Sequence, residues 1–126
     1  MKICSVIAKV DELAPANQYS AKQKIDWLSS LDGKVFDEVH AIHLLNEGES
    51  FVFPDGGYTS EGDELLIPAP YAEGVYVNYL LCQIAAMNGE ITKYSQYMTL
   101  YNTEYTSFFN WFNRTHMPVS KGTWRF

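Results

Sequence analysis

Apolar residues recur at a helical spacing over most of the chain, and this pattern predicts a mainly α-helical protein. Residues 3–13 predict a short amphipathic helix that ends before Pro15, because the residue in front of a proline is disfavoured in a helix. Ser20 and Gln23 form a capping box, which is the signature of a helix N-terminus. A second helix is therefore expected to begin there, and its apolar positions continue to Ile42.

The pattern changes in residues 49–68. Two short apolar runs, Phe51–Pro54 and Glu64–Pro68, flank a glycine-containing turn and predict a small β-hairpin-like insertion against the helical body. Beyond it, apolar residues between Val77 and Phe112 again recur every three or four positions. At Asn88-Gly89 the chain forms either a corner between two helices or one long helix that tolerates a glycine.

Length and composition favour a single domain. The chain has 126 residues, of which 47% are hydrophobic, which is enough for one packed core and excludes a disordered protein. No apolar run approaches the roughly 20 residues that a membrane-spanning helix requires. The N-terminal residues lack a signal-peptide pattern, so Cys4 and Cys82 are expected to be reduced thiols of a protein made in the cytoplasm. We expect one helical bundle over residues 1–126, ending in an extended, irregular tail at 117–126.

Acidic side chains are concentrated in the first half of the chain. Nine Lys and Arg face 15 Asp and Glu, a net charge of −6, and the whole excess lies in residues 1–63. A protein that binds nucleic acid through its phosphates normally carries the opposite charge, so this function is disfavoured. The acidic residues are expected to form a solvated face, to which the second helix contributes Asp26, Asp32, Asp37 and Glu38.

One group of residues could bind a metal ion. His40 and His43 are three residues apart and Glu47 follows one turn later, so two imidazoles and a carboxylate on one helical face could hold zinc. Histidine near a helix C-terminus is also favoured by the helix dipole, and we expect this explanation to hold. The sequence has no nucleophile elbow or P-loop, so no enzyme, catalytic residue, metal or cofactor is predicted.

Aromatic residues are numerous for a chain of this length. There are 7 Phe, 9 Tyr and 3 Trp, more than we expect the interior of such a domain to hold. Tyr and Trp are enriched at protein–protein interfaces, because each supplies a large amphipathic surface. We therefore expect self-association or partner binding through a set of residues in the second half and the tail: Tyr94, Tyr97, Tyr101, Tyr105, Trp111, Arg114, Trp124, Arg125 and Phe126.

Several short motifs match a pattern known from one protein family. In the first half they are VDEL at 10–13, NQYS at 17–20 and KIDWLSSLDG at 24–33. In the second half they are more specific: LIPAPY at 66–71, NGE at 88–90 with Tyr94, and WFNRTHMP at 111–118. With these motifs the chain resembles a family of small proteins encoded in the structural-gene clusters of phages and prophages of Gram-positive bacteria. The resemblance excludes residues 41–63 and the tail.

This resemblance implies a structural role. Members of the family lie among head and connector genes and look like head–tail connector (adaptor) proteins, small helical subunits that form a ring, typically of twelve copies, beneath the portal of a long-tailed phage. The implied location is the head–tail junction of the virion, after synthesis in the bacterial cytoplasm. The implied partners are further copies of the chain, the portal protein and a neighbouring neck or tail protein, while DNA passes through without specific binding and no membrane takes part.

Within such a ring the acidic residues named above would face the channel or solvent, because an acidic surface repels DNA phosphates. The helices of the second half would carry subunit contacts, and residues 114–126 would contact the portal or the next ring. Three alternatives remain open: another neck or head-completion component, a non-structural protein-interaction module, and a metal-dependent enzyme built on His40 and His43.

Overall fold

Four α-helices make up most of the computed structural model, which describes residues 1–118. They are α1 (Ile3–Leu13), α2 (Ala21–Glu38), α3 (Tyr71–Asn88) and α4 (Ile91–Thr115), and a short 3-10 helix, His40–Ile42, follows α2. The predicted helical fold is confirmed. α1 has the expected bounds, and α2 begins at the expected cap, because the Ser20 hydroxyl accepts a hydrogen bond from the Gln23 N–H at 3.1 Å. The regular helix ends at Glu38, earlier than the apolar pattern indicates.

The chain turns a corner at Asn88-Gly89. Gly89 has a φ of 73°, in the left-handed region that favours glycine, and its N–H donates to the Ala86 carbonyl at 3.2 Å. α4 begins two residues later, at Ile91. Of the two possibilities that the sequence left open, the structure has two helices, and α3 and α4 form an antiparallel pair.

The predicted β-hairpin is wrong, since residues 1–118 contain only isolated bridges and no strand. Each apolar run packs on a different neighbour instead of on the other run. The Phe53 ring stacks near Phe36 of α2, with 6.3 Å between centroids. The Leu65 N–H donates to the Met1 carbonyl at 3.0 Å, so the second run is bonded to the N-terminus. Contacts distant in sequence therefore replace the local pairing.

One apolar core joins the four helices. α1 buries its predicted face except for Leu13 at its end, which is 54% exposed. α4 contributes the two large side chains Phe108 and Phe112, which are at most 1% exposed. Burial of each such side chain stabilises the fold by about 1.5–3 kcal/mol. Lys24 is also buried, and its Nζ lies 2.7 Å from Asp11 Oδ1, which joins α2 to α1 and lowers the pKa of that carboxyl. None of the helices within residues 1–118 is long and apolar enough to cross a lipid bilayer.

Candidate protein interaction surfaces

The aromatic residues of α4 lie on its inner and lateral faces. Tyr94, Tyr97, Tyr101, Tyr105 and Trp111, all predicted as interface residues, are half-buried. All of them except Tyr94 pack against the core, and the rings of Tyr79 and Tyr101 are 5.5 Å apart. Burial raises the pKa of Tyr101 and Tyr105. Their assignment to an interface stays a prediction, and the four rings that pack against the core already have partners within one copy.

A single copy covers more aromatic surface than the composition predicts. Residues 1–118 hold 17 of the 19 aromatic residues, and the most exposed of these, Phe109, shows only 36% of its surface. The rings pack against one another edge-to-face or tilted, as around Phe108, which has Tyr71, Tyr105 and Trp111 within 6.3 Å. Aromatic excess alone is therefore not the feature that marks a binding surface here.

Exposed aliphatic side chains instead form two groups. We call the first the corner patch; it consists of Leu13, Met87 and Ile91, which are 54%, 64% and 78% exposed. We call the second the C-terminal patch; its members are about half to three-quarters exposed and are Ile42, Leu44, Leu45, Val52 and Met117. Clustered exposed apolar side chains are typical of protein–protein contact sites.

The two patches lie at opposite ends of α4. Met87 and Ile91 flank the corner from which the helix starts, and Met117 follows its last turn. The Met117 carbonyl accepts a hydrogen bond from the Leu44 N–H at 2.7 Å, which brings Leu44 and its neighbours Ile42 and Leu45 to that end. Val52 lies at the same end because the ring of the preceding Phe51 is 5.8 Å from that of Phe112. A helix of 25 residues is about 37 Å long. Sequence reasoning missed both patches because it followed the aromatic residues. The pair Leu44-Leu45, which lies outside the helical phase, was a signal for the C-terminal patch, whereas the corner-patch residues lie in phase and gave none.

A groove lies beside the corner patch. Its cavity of about 320 Å³ is lined by Leu81 and Ile84 of α3, by Leu13 at the end of α1 and by Tyr97 of α4. Glu90 and Lys93 also line it and form an ion pair of 3.1 Å, and the hydrogen bond from Lys93 lowers the pKa of Glu90. Apolar side chains of α1, α3 and α4 and one ion pair therefore line the groove together.

Three of the four acidic residues predicted to face the channel or solvent are exposed: Asp26, Asp37 and Glu38. Asp26 forms an ion pair with Lys22 at 3.3 Å. The prediction is wrong for Asp32, which has no exposed surface. Asp32 follows Leu28 by four residues and therefore lies on the buried face of α2.

Asp32 is held by three hydrogen-bond donors. The Tyr58 hydroxyl donates to it at 2.5 Å and the Tyr76 hydroxyl at 2.7 Å, while the Leu66 N–H donates at 3.0 Å. Burial raises the pKa of Asp32, and these donors oppose the rise by stabilising the ionised carboxylate. The Tyr76 hydroxyl in turn accepts from the Ile67 N–H at 2.8 Å. This network joins α2, α3 and the segment between them.

Three buried histidines surround Phe112. The rings of His40 and His43 are each 4.9 Å from the Phe112 ring, and His116 stacks on it at 3.9 Å. His43 Nδ1 donates to the Val39 carbonyl at 2.6 Å. The cluster occupies the place where the sequence suggested zinc, but Glu47 is exposed and is not part of it. Within residues 1–118, no group of three or more His, Cys, Asp or Glu side chains is arranged to hold a metal ion.

The histidine cluster fixes the end of the described chain against α4. His116 Nε2 lies 2.7 Å from Glu49 Oε1, and His43 Nε2 lies 2.7 Å from Asn113 Oδ1. The backbone of His43 also pairs with Pro118. Of the predicted partner-binding residues near this end, Arg114 is exposed, and Trp124, Arg125 and Phe126 lie outside the described residues.

Comparisons with known proteins give no relative: no family model, no curated protein and no solved structure matches this chain.

Proposed function

We propose that this chain is a non-catalytic structural subunit that assembles with copies of itself, and that its assembly is a head–tail connector ring of a phage or prophage. The observation that carries self-assembly is the presence of two different aliphatic patches at opposite ends of α4. The connector role is supported by the motifs at residues 66–71, 88–90 and 111–118.

Two unlike patches favour head-to-tail contact. A symmetric dimer uses the same surface on both copies, whereas contact between the corner patch of one copy and the C-terminal patch of the next leaves one free patch on each outer copy. Such contacts close into a ring when the rotation between copies allows it. Each patch has few apolar side chains, so one contact is weak, and closure stabilises the assembly because the last subunit is held on both sides.

The charge distribution fits this arrangement. The side chains that make up the two patches are uncharged, whereas the chain carries a net charge of −6. Copies of an acidic protein repel one another, and uncharged contact surfaces keep that repulsion away from the interface. The exposed carboxylates of Asp26, Asp37 and Glu38 would repel DNA phosphates and leave DNA free to slide through the ring.

The test is assembly of the purified chain, alone and with the portal protein from the same genome, measured by mass photometry and negative-stain electron microscopy. Native protein is expected to form closed rings at high concentration or on the portal. Met87→Lys and Met117→Lys each place a charge in one patch and are expected to lower ring formation at least tenfold.

Mixing these two variants tests the head-to-tail geometry. Each variant keeps one intact patch, so a mixture is expected to form heterodimers but no rings. Leu100→Lys is the matched control, because Leu100 is 51% exposed on α4 and belongs to neither patch. A native chain that stays monomeric both alone and with the portal contradicts the proposal. Rings found elsewhere in the particle neck would exclude the connector role and leave self-assembly standing.

A further inference from the structure

Residues 40–51 are held on the C-terminal end of α4, and we call them the latch segment. The Leu44 N–H donates to the Met117 carbonyl at 2.7 Å. The chain has three histidines, and all of them lie in this contact, each with its ring at most 4.9 Å from the Phe112 ring. The latch segment is therefore joined to α4 beside side chains that gain a charge in mild acid.

Two of these histidines can take up a second proton without losing a contact. His43 donates one ring N–H to a backbone carbonyl, and its Nε2 lies 2.7 Å from the Asn113 side-chain amide, which can offer either a donor or an acceptor. His116 Nε2 lies 2.7 Å from Glu49 Oε1, and its Nδ1 lies 2.9 Å from the Thr115 hydroxyl. Both N–H groups of either protonated ring therefore have an acceptor while the latch segment stays in place.

His40 has no such second acceptor. It is 4% exposed, and its Nδ1 lies 3.5 Å from the Val35 carbonyl, which can only accept, so the neutral ring carries its proton on Nδ1. Its Nε2 is buried and has no hydrogen-bond partner in the described part of the chain. A second proton there would place a positive charge and an unbonded N–H between the rings of Phe51 and Phe112, whose centroids are 4.3 and 4.9 Å away. Such a buried charge is costly, so the closed structure keeps His40 neutral.

The charged groups around His40 do not offset this cost. Burial lowers the pKa of His40, and the charges of His116 and His43 lower it further. The carboxylate of Glu49 acts in the opposite direction, but it is bonded to His116. α2 and α4 face His40 with a backbone carbonyl and with phenylalanine rings. The charged side chains in the last turns of these two helices are exposed to solvent and are Asp37, Glu38 and Arg114.

Opening of the latch segment removes the cost, because the imidazole of His40 then reaches water. A solvated histidine has a pKa of about 6.5, so below that pH the open chain binds a proton that the closed chain does not. The ratio of open to closed molecules therefore rises as the pH falls, by about tenfold between pH 7.5 and pH 5.5. His43 and His116 contribute less to this ratio, because they can carry a proton in both states.

The latch segment can open without unfolding of the whole molecule. Apart from the 3-10 helix His40–Ile42 it has no regular secondary structure. The Asp32 network, which joins α2 and α3 to residues 58–67, does not include it. Phe108 also keeps a partner outside the latch segment, the ring of Tyr71. Segments with few such connections to the core open at a lower free energy than the core itself.

We propose that the histidine cluster is a pH-sensitive latch: in mild acid His40 takes up a proton, residues 40–51 leave the end of α4, and the Phe112 ring is exposed. The same step takes the C-terminal patch apart, because three of its members lie on the latch segment: Ile42, Leu44 and Leu45. The latch is a property of a single copy, and only its effect on subunit contact rests on the proposed function.

Hydrogen exchange of the full chain, followed by NMR at a concentration at which it is monomeric, tests the latch. The Leu44 amide reports the contact with Met117, and the Leu80 amide near the centre of α3 reports opening of the core. After correction for the intrinsic exchange rate, the protection factor of Leu44 is expected to fall about tenfold from pH 7.5 to pH 5.5 and to stay below that of Leu80. Equal protection of the two amides, or a Leu44 protection factor that does not change with pH, overturns the proposal.

Two kinds of variant assign the effect to one histidine. His40→Phe and His40→Leu cannot take up a proton, and both are expected to reduce the change in Leu44 protection between the two pH values to less than twofold. His116→Gln is the matched control, because it removes another imidazole but keeps an N–H for Glu49, and it is expected to retain at least a fivefold change. Each variant is compared with itself at two pH values, so a general loss of stability does not affect the result. A change that persists without His40, or that is lost in His116→Gln, contradicts the latch.

Assembly at two pH values separates the latch from the proposed function. Native protein and His40→Phe are expected to assemble equally at pH 7.5, and at pH 5.5 the native protein is expected to assemble at least fivefold less. If exchange shows the latch opening but both proteins assemble equally at pH 5.5, or neither assembles at any pH, the C-terminal patch is not a subunit contact and the latch stands. If Leu44 exchange does not depend on pH, the latch is refuted and assembly at pH 7.5 stands.

Discussion

At the scale of single residues, the carboxylate of Asp32 brings together parts of the chain that are far apart in sequence. It accepts hydrogen bonds from Tyr58 and from Tyr76 of α3, and it has no exposed surface. A carboxylate without a cationic partner is stable in such a site only when its oxygens are well bonded, because desolvation is costly. Each hydrogen bond to Asp32 is therefore expected to contribute more to the free energy of unfolding than an ordinary hydrogen bond does.

Replacement of each tyrosine by phenylalanine measures this. Tyr58→Phe removes one donor to a buried carboxylate and is expected to lower the free energy of unfolding by about 1.5–3 kcal/mol. Tyr76→Phe is expected to cost more, because it also leaves the Ile67 N–H without its acceptor. Tyr79→Phe on α3 is the control, since the structure shows no hydrogen bond of the Tyr79 hydroxyl within residues 1–118. Urea unfolding followed by circular dichroism gives the order, and equal losses at Tyr76 and Tyr79 would contradict it.

The buried imidazole of His40 predicts a loss of stability in acid. Burial lowers the pKa of His40, and the charges of His116 and His43 lower it further. Its Nδ1 donates to the Val35 carbonyl at 3.5 Å, and its Nε2 has no hydrogen-bond partner within residues 1–118. Below the pKa of an unfolded histidine, about 6.5, the unfolded chain binds this proton more readily than the native chain, so stability falls as pH decreases.

The His40→Phe variant separates His40 from the other titrating groups. Phenylalanine keeps a ring among Phe51, Phe108 and Phe112 but cannot take up a proton. The difference in unfolding free energy between pH 7.5 and pH 5.5 is expected to be smaller in the variant than in the native chain. An equal difference in the two proteins would show that His40 does not contribute.

At the scale of elements, the side chain of Glu104 on α4 packs directly over Gly74 of α3. A Cβ atom there would lie 2.6 Å from Cγ of Glu104. Gly74→Ala is therefore expected to destabilise the protein by about 1–3 kcal/mol, although alanine is the better helix former. With Glu104→Ala in the background, the same substitution is expected to stabilise by up to about 1 kcal/mol. Thermal unfolding of the four proteins checks this double-mutant cycle, and a stabilising Gly74→Ala in the presence of Glu104 would refute it.

The elements that could be predicted from the sequence are those defined by local rules. The bounds of α1 follow from its apolar spacing and Pro15, and the start of α2 follows from the Ser20 cap. The apolar runs at residues 51–54 and 64–68 are close in sequence and suggest that they pair with each other. Each instead contacts a part of the chain that is distant in sequence, so the expected hairpin does not form. Buried Asp32 was predictable from its phase in α2, whereas sequence spacing gives no indication that His116 joins His40 and His43.

At the scale of the whole molecule, the two ends of α4 differ in how far their structure could be predicted from the sequence. The corner end depends on Asn88-Gly89, a turn signal that is visible in the sequence. The opposite end depends on His43, which joins residues of α4 to Pro118 and has no local signature. The exposed aliphatic residues form two separate groups only in the folded chain, because the length of α4 separates one group from the other. The positions of the two patches therefore depend on the tertiary structure and could not be predicted from the sequence alone.

The Asp32 network has a further consequence for how the molecule opens. A single carboxylate binds the segment containing Tyr58 and Leu66 as well as α2 and α3. Separation of any of these parts would therefore expose to solvent a charged group that is buried in the native fold. They are expected to behave as one cooperative unit in native-state hydrogen exchange. The amides of Leu66 and Ile67, although they lie in no regular secondary structure, will then exchange as slowly as those at the centre of α3.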